Sequence, residues 1–431
     1  MHPGAVSTDV STLSTPPRRP RRGLSARARW AVPVGVAAVV VAGFAAQPLL
    51  ADAGSAGLPN LTAQQLVTKV LEAKPVPMSG TVVYTARLGL PDLSSLDAIK
   101  GMSPADPVNL LSGSSTMRVW TDGSTRSRVS LLGATSEYSV VHDATQAWTY
   151  SSTKNAVTHY SLSAADAARL KAEQQKQLQT PVPSASDLPT PAQAADQALA
   201  QAQQFSTVTL DSQTRVAGRD AYQLVVTPKT TGTLVAHIVV VVDASTYTPL
   251  RVQVWSTQSS TSPALELGFT DISFSTPSNA VLSFSAPPGA KVTQKTVTLP
   301  QHSGATKPTP SPTALPDGVT VTGTGWASVV QVRGANVSAL LAGNAGIAGA
   351  AARTMPHPST TQGQDVVSQL GSSSSNDPTS SLDPSALYSQ LTTAVPGGRL
   401  LSSALVSVLI MDDGRVLAGA VPGATLQALA G

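Results

Sequence analysis

Cysteine is absent from the 431 residues. That excludes a disulfide framework, a thiolate metal site and a lipidated cysteine of the bacterial lipoprotein kind. Charge is scarce as well, at 12 % of residues, and aromatic side chains make up only 4 %. Apolar residues nevertheless reach 41 %, enough for a sizeable core. Serine, threonine, alanine, glycine and proline fill the remainder, the composition of short strands, turns and connectors. The length exceeds one average domain and predicts two ordered regions with tails.

The formal net charge of +4 does not mark a nucleic-acid binder. Arg18, Arg19, Arg21, Arg22, Arg27 and Arg29 all precede Trp30, opposed there by Asp9 alone. Removing those six from 28 basic residues, and one from 24 acidic, leaves 22 against 23 and a net charge of −1. A nearly neutral remainder lacks the clustered basic surface that tracks phosphates, so no nucleic-acid partner is expected.

What those arginines do precede is a run without charge, WAVPVGVAAVVVAGFAAQPLLA, from Trp30 to Ala51. About 20 residues at 1.5 Å each cross the ~30 Å hydrocarbon core of a bilayer. The flanking arginines should stay cytoplasmic. Residues 1–29 therefore read as a basic cytoplasmic n-region, and 30–53 as a transmembrane anchor or a signal peptide. Ala51-Asp52-Ala53 is an A-x-A cleavage site, with the cut after Ala53. The chain is expected to be exported: anchored in the cell membrane through residues 30–51 and facing outward, or secreted or periplasmic if cleaved. Arg21-Arg22 followed by Gly23-Leu24 is a poor twin-arginine signal.

Residues 61–73 predict a helix with its start spelled out. Thr62 can cap it, Gln65 completes a capping box, and Leu61 can staple onto Leu66. Strands follow in SGTVVYTARLGL, STMRVW, TRSRVSLLG, EYSVVHD, QAWTYSS and NAVTHYSL, with a hairpin turn at Asp122-Gly123. A leucine-, proline- and serine-rich insert separates the first two. Two alanine- and glutamine-rich helices are expected at 163–179 and 190–204, the second with Pro191 at its first position. Their narrow apolar faces suit a light cover rather than a core. Five more strands return in TVTLDSQTRVAG, RDAYQLVVTP, TLVAHIVVVVD, TPLRVQVWS and LELGFTDISFS, closing with AVLSFSAPPGA. HIVVVV is apolar on both faces, so both faces should be covered there, or one should line a cavity.

Residues 300–317 carry five prolines among threonine and serine, a linker composition. A small α+β C-terminal region, 318–431, is expected beyond it. There GVTVTGTGWASVVQVRG reads as a strand pair, SALYSQLTTAV as a helix, and SALVSVLIM with RVLAGAV as a hairpin around Asp412-Asp413-Gly414. Residues 336–382 are a low-complexity insert.

The 61–292 portion resembles the LolA/LolB-like superfamily of lipoprotein carriers and RseB-type periplasmic proteins. The residues behind the resemblance are the leading helix, VAGRDAYQLVVTP, VVDASTYTPLRVQVWS and FTDISFSTPSNAVLSFSAPPGAKV, in that order. It implies an α+β, mostly antiparallel fold: a curved half-barrel sheet with an apolar concave side covered by helices. It further implies binding of acyl chains or lipoproteins.

Catalytic chemistry finds little footing. His142, His159 and His237 fall on separate expected strands, with no H-E-x-x-H, no G-x-S-x-G elbow and no phosphate-cradling glycine loop. No catalytic residue, metal or cofactor is expected. The candidates for lining an apolar cavity are Val82, Tyr84, Val119, Trp120, Leu131, Tyr138, Trp148, Tyr222, Leu224, Val239, Val241 and Trp255; periodicity alone does not settle which face is concave. The expected function is a non-catalytic carrier or receptor for a lipid, lipoprotein or other apolar ligand. The alternative is an RseB-type envelope sensor that regulates a membrane-protein partner such as an anti-sigma factor.

Overall fold

The computed structural model describes residues 57–90, 103–143, 145–169, 172, 199–200, 202–297, 318–333 and 384–431, without the side chains of 384–387. The expected n-region, the 30–53 segment, the 300–317 linker and the low-complexity 336–382 insert lie outside the described residues, as do 170–171, 173–179, 190–198 and 201 of the two light helices. Residues 164–169 and 202–205, at the outer ends of those two helices, are helical. No described helix is long and apolar enough to cross a membrane.

Helix α1 (Ala63–Glu72) starts as its sequence dictates. Thr62 Oγ1 accepts from the Gln65 N–H at 3.1 Å, and Gln65 Oε1 accepts from the Thr62 N–H at 2.8 Å. Two such bonds satisfy donors that a helix start leaves without partners. Strand β1 (Met78–Ala86) follows, then a 3-10 turn at Pro107–Leu111. A meander of β2 (Gly113–Thr121), β3 (Arg126–Leu132), β4 (Glu137–Asp143), β5 (Gln146–Ser151) and β6 (Ala156–Leu162) continues outward. The chain re-enters at the opposite edge as β7 (Ser206–Leu210) and β8 (Thr214–Val216). It then returns inward through β9 (Arg219–Pro228), β10 (Val235–Asp243), β11 (Pro249–Ser256) and β12 (Leu265–Ser273). A short helical turn α2 (Asn279–Leu282) leads to β13 (Lys291–Val297), parallel to β6.

The resulting sheet has the order β13-β6-β5-β4-β3-β2-β1-β12-β11-β10-β9-β7, with β8 also paired to β9. Every pairing except β13 with β6 is antiparallel. The fold is thus α+β and mostly antiparallel, with few helices, and the sheet is open and uncurled. Three differences from the sequence reading stand out. The expected curved half-barrel covered by helices is instead an open sheet with few helices among the described residues. TVTLDSQTRVAG is divided into β7 and β8. The start of AVLSFSAPPGA is the helical turn α2, and the closing strand is β13, parallel to its neighbour.

Strand register sorts the side chains into two faces. One, the helix face, packs against α1: Leu66 meets Tyr222 and Val242, with Leu210, Leu224 and Val240 around them. The other, the crossover face, is spanned by the connection from β12 to β13. There Leu282 is fully buried, Phe284 stacks on Trp148 at 5.8 Å, and Asn279 accepts from Arg126 Nη1 at 3.0 Å. In β10, Ile238 and Val242 point to the first face and Val239 and Val241 to the second, and all four are buried. This is the two-sided cover that HIVVVV demands.

A second, six-stranded sheet is ordered β14-β15-β19-β18-β17-β16. It comprises β14 (Val319–Thr322), β15 (Val329–Val332), β16 (Thr393–Val395), β17 (Gly398–Ser402), β18 (Ser407–Met411) and β19 (Val416–Gly419), with helices α3 (Pro384–Leu391) and α4 (Gly423–Ala430). Val329, Leu409, Leu417, Val421 and Leu426 form its own core. This lobe docks on one end of the large sheet. Trp326, Ala404 and Leu405 join the main core. Hydrogen bonds cross the junction from Leu234 N to Ala420 O (2.7 Å), Ala404 N to Leu88 O (2.7 Å), Ser256 Oγ to Ala404 O (2.6 Å) and Trp326 Nε1 to Ser206 Oγ (2.8 Å). Gly325, at φ +59°, lies where a Cβ would come within 2.8 Å of Phe205, so only glycine lets Trp326 settle there.

Candidate ligand site at the open end of the large sheet

At the end opposite the docked lobe, α1, the segment after it and two hairpin turns enclose a cleft of about 300 Å³. Its walls are chiefly apolar: Val70, Val76, Met78, Tyr247 and Pro249. Lys74, Thr121, Ser124 and Thr248 supply polar groups. A volume near 300 Å³ falls at the lower end of the ~300–1,000 Å³ range of small-molecule sites.

Local chemistry fixes each wall. In the β2–β3 turn, Asp122 Oδ1 accepts from the N–H groups of Ser124 (2.8 Å) and Arg126 (3.0 Å), while Oδ2 meets Arg126 Nε at 3.0 Å. Burial works to raise the Asp122 pKa, but these donors and the guanidinium charge outweigh it and hold the carboxyl below its usual value. Gly123 has φ +72°, and a Cβ there would come within 2.7 Å of the Val76 backbone. The turn therefore lies directly on the Pro75–Pro77 segment.

The β10–β11 turn is organised by Asp243, which is fully buried. Its Oδ2 accepts from Ser245 N (3.1 Å), Thr246 N (2.7 Å), Thr246 Oγ1 (2.9 Å) and Arg219 Nη2 (3.0 Å), and Arg219 Nε bonds Oδ1. Burial opposes ionisation here too, and Arg219 and Thr246 overcome it, so the Asp243 pKa is lowered. The turn lifts Tyr247 to φ +57° and presents its ring to α1, with Lys69 Nζ 5.2 Å from the ring centre.

Of the sequence candidates, Val82, Tyr84, Val119, Leu131, Tyr138, Tyr222 and Leu224 lie on the helix face. Trp120, Trp148, Val239, Val241 and Trp255 lie on the crossover face. A single concave face can hold only one set. Tyr84 is largely buried, which pushes its hydroxyl pKa up to about 12. Tyr222 donates to the Pro59 carbonyl at 3.0 Å, tying down the chain before α1. On the other face Trp148 is stacked between His159 (4.9 Å) and Phe284. Trp120 has Arg118 over its ring at 5.3 Å. Trp255 stacks on His237 at 5.3 Å, and burial lowers the His237 pKa.

None of the candidates borders the cleft, which is built from residues the sequence reading passed over. The available signals were the Asp122-Gly123 pair, read only as a hairpin turn, and Asp243 followed by Ser245 and Thr246, the pattern of a side-chain-capped turn. Among the described residues no three His, Asp or Glu side chains are grouped to hold a metal ion. His159 bonds Gln146 and Gln294. Apolar walls with the Lys74 side chain among their lining have the chemistry to hold an amphiphile.

No family model matches the sequence, and no curated protein matches it. Solved structures do. MucB in a complex with MucA from Pseudomonas aeruginosa is 16 % identical, covering 85 % of this chain and 96 % of that one, with a TM-score of 0.37. MucB bound to periplasmic MucA is 18 % identical over 85 % of this chain and 97 % of that one, at a TM-score of 0.38. A LolA superfamily protein from Nitrosomonas europaea is 12 % identical over 52 % of this chain and 99 % of that one, at 0.20. These structure neighbours are of the LolA-like and RseB-type kinds that the sequence resembles, and at such TM-scores they carry no functional argument.

Proposed function

We propose that this chain is a non-catalytic, extracytoplasmic carrier or receptor that binds a lipid, a lipoprotein acyl chain or another apolar ligand. The observation that carries the reading is the cleft itself, an apolar-walled space left open where α1 leans on the helix face. Burying each methylene of a ligand contributes ~0.8 kcal/mol, so a chain of about eight gains roughly 6 kcal/mol without any ion pair. Deeper entry would require α1 to separate from Tyr222 and Leu224 and open the apolar helix face of the sheet. Export rests on the arginines and the apolar segment before Ala51.

Native mass spectrometry of the full-length chain released from membranes in mild detergent tests this. Retained apolar molecules are expected, and Val70→Glu should remove them. A chain that is empty both with and without the substitution would sink the reading.

A second reading, an RseB-type sensor acting on a membrane protein such as an anti-sigma factor, draws support from the docked lobe. Val406 and Leu429 there are 41 % and 40 % exposed, large apolar side chains left on its surface. Because Trp326 and Leu405 belong to the main core, deleting the lobe would damage the fold; Val406→Asp with Leu429→Asp is the cleaner test. Loss of a co-purifying membrane protein would favour the sensor, and an unchanged set would count against it.

A further inference from the structure

Among the described residues the two sheets end in four edge strands: β7 and β13 in the large one, β14 and β16 in the small one. Strands β7, β14 and β16 are five, four and three residues long. Short edges give another chain little to pair with. Strand β13 differs, with seven residues of which six are exposed. It buries almost nothing, so core packing does not account for its place in the sheet.

What β13 presents is a defined row of backbone groups. The Lys291 N–H donates to the Asn155 carbonyl at 2.9 Å, and the Val297 carbonyl accepts from the Ser163 N–H at 3.1 Å. In a parallel pair both groups of one residue point the same way, and the next residue points to the opposite side. Lys291, Thr293, Lys295 and Val297 therefore serve β6, and the N–H and C=O of Val292, Gln294 and Thr296 point outward. Side chains hold the strand in place on both faces. His159 Nδ1 and Gln294 Oε1 are 2.6 Å apart on one, and Lys295 Nζ lies 5.9 Å from the Tyr160 ring centre on the other.

Charge sets what such an edge accepts. Residues 145–163 and 284–297, which build this side of the sheet, include Lys154, Lys291 and Lys295 and no aspartate or glutamate. Glu137 and Asp143, at the two ends of β4, stand three strands away, ~14 Å, and Glu137 is already held by Arg128 at 3.1 Å. Asp166 is bonded by Ser163 and Arg169. Opposite charges on facing residues of paired strands attract and like charges repel. Lys291 and Lys295 thus oppose pairing with a second copy of β13, which would bring four lysines to one face, and favour a strand with carboxylates at that spacing.

We propose that β13 is a docking edge for an extended acidic segment of another polypeptide, which adds a strand to the sheet with carboxylates facing Lys291 and Lys295. The outward groups of Val292, Gln294 and Thr296 bond its main chain, and the lysines select it. Val292, 48 % exposed, supplies an apolar contact on the crossover face. The inference goes beyond the carrier reading and does not depend on what fills the cleft.

Two blocked peptides of the same length as β13 test it on the full-length chain in mild detergent at low salt. Both are built from valine and threonine; one carries two glutamates at the spacing of Lys291 and Lys295, the other two lysines at the same positions. Hydrogen exchange of the fragment covering 291–297 should slow severalfold with the glutamate peptide and scarcely at all with the lysine peptide. Thr296→Pro removes an outward N–H while leaving the bonds to β6, and should abolish the slowing. Lys295→Glu should reverse the order of the two peptides, a result that stands even if the proline variant fails to fold. No slowing at millimolar peptide, or equal slowing by both, overturns the proposal. So does an edge that exchanges slowly before any peptide is added: if the protection rises with protein concentration a second copy covers β13, and if it does not, the chain covers its own edge.

Discussion

The two ends of the large sheet are closed by different means. At one end a folded lobe inserts Trp326 and Leu405 between strand ends and bonds backbone to backbone. At the other, turns held by single aspartates surround an open cleft. Packing of the first kind excludes solvent and fixes the strands. Turn caps of the second kind fix local shape while leaving space between elements. Among the described residues, the cleft opens at the end away from the docked lobe.

Breaking the sealed end should have the larger effect. Trp326→Ala removes a buried indole and its bond to Ser206, and a loss of about 3–5 kcal/mol is expected. Urea unfolding followed by circular dichroism would show it, and separate transitions for the two lobes would mark their uncoupling. At the open end Asp243→Asn leaves Arg219 without its charged partner and should cost about 3 kcal/mol. Its pH signature has a definite sign. A lowered folded pKa means that the stabilisation is present above the ordinary carboxylate value of ~3.9 and is lost as pH falls through the folded value. Urea midpoints of the parent chain should therefore drop through the acid range, and those of the variant should drop less.

Gly123→Ala combines a left-handed backbone with a close approach to Val76, and a cost of about 1–3 kcal/mol is expected. Ligand retention should change with it, because the turn forms one wall. The smallest effect belongs to Leu71→Ser. Its side chain is mostly in water, so stability should stay within about 0.5 kcal/mol, measured by the same unfolding curves. A large loss there would mean that Leu71 is packed, and the contrast between the two ends would weaken.

Sequence was most legible where local rules suffice. EYSVVHD coincides with β4 and RDAYQLVVTP with β9, because alternation and flanking turns define a half-buried strand without outside help. Thr62 and Gln65 likewise announce α1 through contacts three residues apart. What stayed hidden depends on distant chain. Trp148 and Tyr138 carry the same local pattern, yet they face opposite sides, and only the crossover holding Phe284 reveals which side is covered by what. Strand β13 is exposed along nearly its whole length and parallel to β6, so neither burial periodicity nor a hairpin turn marks it. The cleft was missed because its walls come from one helix with the segment after it and two turns, far apart in sequence.

The pairing of β1 with β12 carries a consequence for how the chain is made. Ser79 and Ser273 are partners across the middle of the sheet, 194 positions apart. Strands β1 to β6 can assemble as they emerge, each on its predecessor. The second edge of β1 has no partner until the last strand of the returning meander has been synthesised. Closing so long a loop is slow, and an unpaired strand edge invites association with other chains while it waits. The central seam therefore joins the two neighbouring strands of the sheet that lie farthest apart in sequence, and the interval before it closes is when the nascent protein most needs protection.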